Sequence, residues 1–164
     1  MNELHTYTWV GWTHLTSALL AMVLGVWVLL RRKGDRFHIR LGYAYVSCML
    51  VLNGTAFGLH RLMGFFGPFH VAALVSLATL LAGMRAVLRK PRRKDWLVQH
   101  LTYMYWSVIG LYAAFFSELM VRLPLGATFA WSVGAATAAT IFLGFFLQGR
   151  LTKRWTAMPN RVDA

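Results

Sequence analysis

The chain of 164 residues has few acidic residues and a single cysteine. Only 13% of its residues are charged, and 5 Asp and Glu stand against 17 Lys and Arg, whereas an average soluble domain is about 25% charged. Cys48 has no second cysteine to pair with, which excludes a disulfide within the chain. Because the CxxC, HExxH and GxGxxG motifs and any nucleophile–base arrangement are also missing, the usual soluble enzyme classes lack support. The sequence favours a non-catalytic protein.

Long apolar runs make up most of the chain, which is 58% hydrophobic. Five of these runs reach the length of about 20 residues that a helix needs to cross a bilayer. They predict an all-α, polytopic transmembrane helical bundle in one integral membrane domain over residues 1–164. Pro68 and Pro124 are expected in the first turns of the third and fifth spans. The predicted spans are approximately 7–30, 41–62, 68–88, 97–121 and 125–148.

The basic residues lie almost entirely on one side of the predicted bundle. Fifteen of the 17 Lys and Arg fall in the 31–40 loop, the 85–94 segment and the tail after Gln148. This asymmetry predicts a multi-pass protein with its N-terminus outside and its C-terminus in the cytoplasm. The lipid bilayer is the expected partner, with anionic lipid at the basic loops. A net charge of +12 would also suit nucleic acid, but its division among short loops between apolar spans argues against that partner.

Ionisable side chains recur in the spans, and counting along the helices places them at two depths. At 1.5 Å per residue, the outer group lies about 24–30 Å from the basic side. Four helices would bring three imidazoles and a carboxylate to this outer layer, and such sets on facing helices are typical of metal sites in bundles. The ligand types suit zinc, copper or iron. The outer layer consists of His14, His60, His70 and Glu118.

A smaller inner layer lies beside the basic loops. His38 and His100 stand at similar depth near the start of two spans, and Met104 follows one turn after His100. Two imidazoles at equal depth on opposing helices are the arrangement that ligates haem b, and either layer could supply such a pair. Further polar side chains are expected to surround the ligands of the bound group: Asn53, Tyr43 and Tyr105.

The leading hypothesis is therefore a small membrane protein that binds a metal ion or haem in its outer His/Glu cluster, as an electron-transfer or accessory protein. The same groups could instead serve a small transporter or a proton relay, because ionisable residues inside a membrane are functional candidates by default. A third interpretation is a ligand-free structural subunit. In that case Glu118 only pairs with Arg122, four residues later on the same helix face.

Two further patterns concern helix packing. Small residues recur at every fourth position of the fifth span, at Gly126, Ala130, Gly134 and Ala138. This row predicts close packing within the bundle or, alternatively, a homo-oligomer contact. The two inner histidines each follow a basic loop and precede a tyrosine by five residues, which suggests a two-hairpin internal repeat.

Three stretches carry a resemblance to a known family. They are FGPFH at residues 66–70, His100 with Met104 in HLTYM, and KGDRFHIRLG at residues 33–42. They resemble the F-x-x-F/I-H, H-x-x-x-M and K-G-x-x-x-H-R-x-x-G motifs of a large group of bacterial predicted membrane proteins, described as a domain of unknown function. Ile39 stands where that family has arginine, and SELMVRLP replaces its proline–glycine–arginine end after the fourth helix.

The resemblance covers about residues 31–120. It implies a polytopic protein of the bacterial inner, or cytoplasmic, membrane, and it carries no assigned activity. The positions that match the family motifs are His38, His70, His100 and Met104.

Overall fold

Five long helices form the protein in this computed structural model. The structure describes residues 2–59, 67–91, 93–124, 126 and 128–156, without the side chains of residues 2–8 and 153–156. All five helices are long and apolar enough to cross a membrane, and this described part contains no strand. The predicted all-α, five-span architecture is therefore confirmed. The helices are α1 (Asn2–Leu30), α2 (Arg36–Gly58), α3 (Pro68–Leu88), α4 (Trp96–Arg122) and α5 (Phe129–Thr156).

Helix α2 begins five residues before its predicted start, because a polar cap precedes it. Gly34 adopts a φ of 87°, a left-handed conformation that glycine accepts without strain. Asp35 then caps the helix, since its Oδ1 accepts the His38 N–H at 2.6 Å. A satisfied N-terminus lets the helix include Arg36 and Arg40, which hydropathy alone had assigned to the loop. Residues 60–62 of the predicted span lie outside the described residues.

The last helix begins later than predicted and extends further. Pro68 does occupy the first turn of α3, but the expectation that Pro124 would do the same for the fifth helix is wrong. Pro124 lies before α5, in a segment where Gly126 has a φ of 65°. The left-handed residue interrupts any helix through this point, and α5 starts at Phe129. At its other end α5 continues to Thr156, beyond the predicted end at 148.

Two compact units divide the chain, residues 1–111 and residues 112–164. In the first unit α2 packs against both α1 and α3, and Tyr45 and Leu80 are fully buried. In the second unit Ser117 of α4 hydrogen-bonds Thr137 of α5 at 3.0 Å. The organisation of residues 1–164 as one domain stays a prediction.

The small-residue row of α5 does not pack within its unit. Ala130, Gly134 and Ala138 are all exposed, whereas Ser132 and Ala136 on another face of the helix are buried. Within the second unit these three residues therefore do not pack as the sequence predicted, and their packing elsewhere in the bundle stays a prediction. A homo-oligomer contact through the same row stays a prediction.

Candidate functional site

The two inner histidines lie near each other at the basic end of the first unit. His38 belongs to the first turn of α2 and His100 to the first turns of α4. Their side chains are close enough to interact electrostatically, and Lys33 is within the same range of both. We call His38 and His100 the basic-end pair. Counting residues along the predicted spans predicts one depth for this pair, and that depth stays a prediction.

A hydrogen bond to the backbone fixes the ring of His100. Its Nδ1 lies 2.9 Å from the carbonyl oxygen of Gly83 on α3. A carbonyl can only accept, so Nδ1 carries the hydrogen and donates it. In the neutral ring the lone pair is therefore on Nε2. Histidines that bind metals are commonly held in this way, with the other ring nitrogen donating to a carbonyl or carboxylate.

The absence of a side chain at Gly83 lets α4 approach α3 closely. A Cβ added at Gly83 would lie 2.9 Å from Met104 Sδ and 3.2 Å from Tyr103 Cβ. Met104 itself is buried one turn after His100. His100 thus bonds the Gly83 carbonyl, and Met104 occupies the space where a side chain at Gly83 would lie.

His38 has an incompletely satisfied ring in a charged corner. Its Nδ1 is buried and has no hydrogen-bond partner among the described residues. Besides His100, the charged groups within electrostatic range are Lys33, Arg31 and Asp35. The Arg31 guanidinium is held in place, because its Nη2 donates to Asp35 Oδ2 at 3.1 Å. Two cations and one carboxylate therefore lie within electrostatic range of His38, and Lys33 is also within range of His100.

The connection between α1 and α2 contains two titratable groups whose pKa values are lowered, Lys33 and Asp35. Lys33 Nζ donates to the carbonyls of Val28 and Leu29, both at 2.7 Å, and so caps the end of α1. Burial lowers the pKa of Lys33 to about 8. The pKa of Asp35 is lowered because its carboxylate accepts the His38 N–H and faces Arg31. Asp35 is therefore an anion at neutral pH.

The pKa of Lys33 predicts a pH-dependent stability. The ordinary lysine pKa is 10.5 and the folded protein lowers it to about 8. Between these values the unfolded chain binds one proton more, so the free energy of unfolding rises with pH through this window. We expect the thermal midpoint of the purified protein to rise more steeply there than that of Lys33→Met. Equal slopes for the two proteins between pH 8 and 10.5 would contradict the lowered pKa.

At the opposite end of the unit, His14 is bonded to α2. Its Nδ1 lies 3.0 Å from Thr55 Oγ1. The Thr55 hydroxyl also lies 2.8 and 2.9 Å from the carbonyls of Val51 and Leu52. Since the hydroxyl has one hydrogen and these carbonyls can only accept, His14 Nδ1 donates to Thr55. His14 thus shares the tautomer of His100.

His70 lies beside the same turn of α2 but has the opposite tautomer. Its buried ring is 6.2 Å from the ring of Phe57, between centroids. Its Nδ1 accepts the backbone N–H of Gly67 at 3.1 Å and so caps the start of α3. A neutral ring that accepts at Nδ1 carries its hydrogen on Nε2, and neither nitrogen then offers a lone pair to a metal.

The structure assembles only part of the predicted outer layer. His14 and His70 lie against one stretch of α2, residues 55–57, but His60 lies outside the described residues. Glu118 forms an ion pair with Arg122, as the structural interpretation of the sequence expected, and both side chains are exposed (45% and 72%). Across the part of the chain that the structure describes, no three His, Cys, Asp or Glu side chains are grouped to hold a metal ion.

The predicted supporting residues lie in different surroundings. Asn53 is buried, and its Nδ2 donates to the Met49 carbonyl at 2.8 Å and to Ser76 Oγ at 3.3 Å. Tyr105 is buried with its ring edge-on to Trp106. Tyr43, in contrast, is 51% exposed.

Several residues of the site were missed in the sequence. Tyr45 is fully buried and bonds Ser107 through the two hydroxyls at 2.9 Å. Its position seven residues after His38, two turns along one face, was an available signal. Gly83 carried no such signal in the sequence. A glycine in an apolar span faces another helix only when its own helix is rotated in that direction. The same holds for Gly25, where an added Cβ would meet Val108 and Tyr45 at 3.0 and 3.1 Å.

Comparison with known proteins gives one family match. The family model described as "Predicted membrane protein (DUF2306)" matches residues 11–153. No curated protein and no solved structure matches the chain. The matched region includes the basic-end pair, Gly83, His14 and His70.

Proposed function

The chain belongs to the DUF2306 family of predicted membrane proteins, and we propose that it holds a redox-active group, haem or a transition-metal ion, between its helices. In this proposal it acts as an electron-transfer or accessory protein of the bacterial cytoplasmic membrane. The basic-end pair supplies the protein ligands, with His100 as the principal one. The opposite end of the unit, around His14, is a second candidate position for such a group.

The observation that carries this proposal is the hydrogen bond from His100 Nδ1 to the Gly83 carbonyl. It leaves Nε2 as the ligating nitrogen and fixes the ring, which is how protein interiors prepare an imidazole for a metal. His38 provides a second imidazole near the first, with a buried Nδ1. Bundles build metal and haem sites from such side chains on facing helices.

The proposal places the principal site at the basic end instead of the outer layer that the sequence had favoured. His70 Nδ1 is committed to the start of α3, and Glu118 is committed to Arg122. Two of the four predicted outer ligands are thus engaged in bonds that stabilise their own helices. Neither of the basic-end histidines has its ring bonded within its own helix.

The topology of the proposal follows from charge. The basic end carries the 31–40 and 85–94 segments, and the positive-inside rule places such loops in the cytoplasm. The redox group would then lie near the cytoplasmic surface, in reach of a soluble electron donor or acceptor. The same loops would contact anionic lipid headgroups.

A proton relay is the second candidate function, favoured by a series of polar contacts along α2. Tyr45, Asn53 and Thr55 each hydrogen-bond a side chain of another helix, although the unit is otherwise largely apolar. These contacts occur along α2 between His38 and the turn that meets His14, and intramembrane polar residues of this kind are typical of proton paths. Tyr45 bonds Ser107 at 2.9 Å, Asn53 bonds Ser76 at 3.3 Å, and Thr55 bonds His14 at 3.0 Å.

The test of the redox proposal is spectroscopy of the purified protein. We expect protein from cells supplied with iron and copper to show a Soret band or to contain a stoichiometric transition metal. His100→Ala should lose the band or the metal, whereas Gln99→Ala should keep it. Gln99 is the matched control because it is the preceding residue of α4 and bonds Asp95 instead of Gly83.

A colourless, metal-free parent protein that also fails to take up either ligand in vitro would overturn the redox proposal. So would a His100→Ala variant that retains the ligand at the level of the parent. If the parent instead conducts protons in vesicles and Tyr45→Phe does not, the proton relay is favoured.

A further inference from the structure

Two arginines lie in the first turns of α2 with their side chains exposed. Arg36 and Arg40 are four residues apart, so they project from one face of the helix. Arg40 stands one turn, about 6 Å, inside a helix that is long and apolar enough to span a bilayer. An exposed guanidinium at that depth faces lipid, and a charge there is costly unless an anion accompanies it.

The part of the chain that the structure describes offers these two arginines no carboxylate. Asp35 is the one acidic residue of α2 and of the turn before it. Its Oδ2 accepts from Arg31 and its Oδ1 accepts from the His38 N–H, so both oxygens are engaged. None of the ion pairs among the described residues includes Arg36 or Arg40. Their counter-charge therefore has to come from the surroundings of the protein.

An exposed pair of aromatic rings adjoins the arginines. Phe37 follows Arg36 in the chain and lies three residues before Arg40, on the adjoining face of α2. Its ring packs against Trp27 of α1, with 5.6 Å between the centroids. The Arg31 guanidinium stacks on Phe37, with Cζ 4.3 Å from the ring centroid, and holds the ring in place. Trp27 is 49% exposed and Phe37 is 41% exposed, so both can contact lipid.

We infer that these side chains form a binding site for one anionic phospholipid. The two arginines bind its phosphate, and the two rings contact its glycerol and the first carbons of its acyl chains. This inference specifies the lipid partner of the proposed function, and its test involves no redox group. We call this the interfacial site, and it consists of Arg36, Arg40, Phe37 and Trp27.

The charge around the interfacial site selects the headgroup. Five Lys and Arg of residues 31–40 stand against the single carboxylate of Asp35. A zwitterionic headgroup brings an ammonium group close to these cations, and the repulsion cancels part of the attraction for its phosphate. Phosphatidylglycerol has the phosphate without the ammonium group. Each arginine near the surface then contributes about fivefold to the affinity for the anionic lipid.

The experiment measures lipid binding to the purified full-length protein by native mass spectrometry. The probes are phosphatidylglycerol and phosphatidylcholine with the same acyl chains, and inorganic phosphate as a competitor. We expect the first phosphatidylglycerol to bind on the order of tenfold more tightly than phosphatidylcholine. Inorganic phosphate has the charge but no glycerol or chain, so it should not displace the lipid at the same concentration.

Arg40→Gln tests the site itself. We expect it to weaken phosphatidylglycerol binding about fivefold and to leave phosphatidylcholine binding nearly unchanged. Arg32→Gln is the matched control, because Arg32 is also exposed and removes the same charge but lies in the turn before α2. We expect a loss of less than about twofold for this control, since salt screens charges outside the direct contact. The comparison of the two lipids on the parent protein remains decisive if the Arg40 variant does not fold.

Three results would overturn the inference. Equal affinity of the parent for the two lipids means that its charge does not select a headgroup. An equal loss in Arg32→Gln and Arg40→Gln means that the basic segment attracts anionic lipid without a defined site. Displacement of the lipid by an equal concentration of inorganic phosphate means that the arginines bind a free anion. All three leave the redox proposal standing, because its test follows the spectrum and metal content of His100→Ala.

Discussion

Tyr45→Ala is expected to lower the free energy of unfolding by about 3–5 kcal/mol, the range for removing a large aromatic side chain from a packed interior. Tyr45 is fully buried at the centre of the first unit. A Cβ added at Gly25 of α1 would lie 3.1 Å from its ring, and its hydroxyl bonds Ser107 of α4. The alanine would leave a cavity between three helices, and neither lipid nor water fills such a space without cost. Denaturant or thermal unfolding in detergent measures the loss.

Tyr43→Ala is the matched control, since the same substitution two residues earlier removes a side chain that is 51% exposed. We expect it to change stability by less than about 0.5 kcal/mol. Tyr45→Phe separates the ring from the hydroxyl and should cost about 0.6 kcal/mol, the average for hydrogen bonds between membrane helices. If the Tyr45 and Tyr43 alanine variants were equally stable, the packing described for α1, α2 and α4 would be incorrect.

The five helices were predictable because the bilayer leaves few alternatives. A long apolar run must satisfy its backbone bonds internally, and a helix is the way for a single segment to do so. The wrong predictions concern the ends of helices, where the bilayer no longer restricts the backbone. The cap at Asp35 extends α2 into charged sequence, and the left-handed Gly126 delays α5. Hydropathy reports the apolar length of a helix, whereas caps and turns decide where its backbone begins.

Residue counting predicts a depth for each histidine but not its hydrogen-bond partners. Residue counting from a helix end gives height to within about a turn, and it predicts one depth for His38 and His100. The hydrogen bonds of His100 and His70 depend instead on how each helix is rotated and how close its neighbour lies. A helix that is apolar on all sides carries little sequence signal of its rotation. The exposed small-residue row of α5 has the same explanation.

The turn before α2 shows how one short stretch joins several of these features. In KGDRFH, Lys33 caps α1, Gly34 allows the left-handed turn, Asp35 caps α2 and His38 enters the basic-end pair. The order of these residues is therefore required by the connection between the two helices. It also places the cations beside the histidines, so the same turn that ends one helix sets the charge of the proposed site.

Gly83→Ala is expected to disturb both the packing and the proposed ligand site. The added Cβ would lie 2.9 Å from Met104 Sδ and 3.2 Å from Tyr103 Cβ, so the Met104 side chain must change conformation or α4 must shift relative to α3. Overpacking of this kind costs about 1–3 kcal/mol. The shift would also weaken the bond from His100 to the Gly83 carbonyl, and loss of such an orienting bond reduces metal affinity by about 10–100-fold. Unfolding and ligand titration measure the two effects.

Gly110→Ala provides the control, because an added Cβ there meets nothing within 4 Å, and helix propensity alone makes alanine the more stable residue. The added Met104→Ala change should restore part of the stability lost in Gly83→Ala, since it removes the sulfur that the new methyl group meets. A positive coupling in this double-mutant cycle would locate the effect at the α3–α4 contact. A Gly83→Ala protein as stable as Gly110→Ala would mean that Gly83 does not hold these helices together, and His100 would then lack the support on which the redox proposal depends.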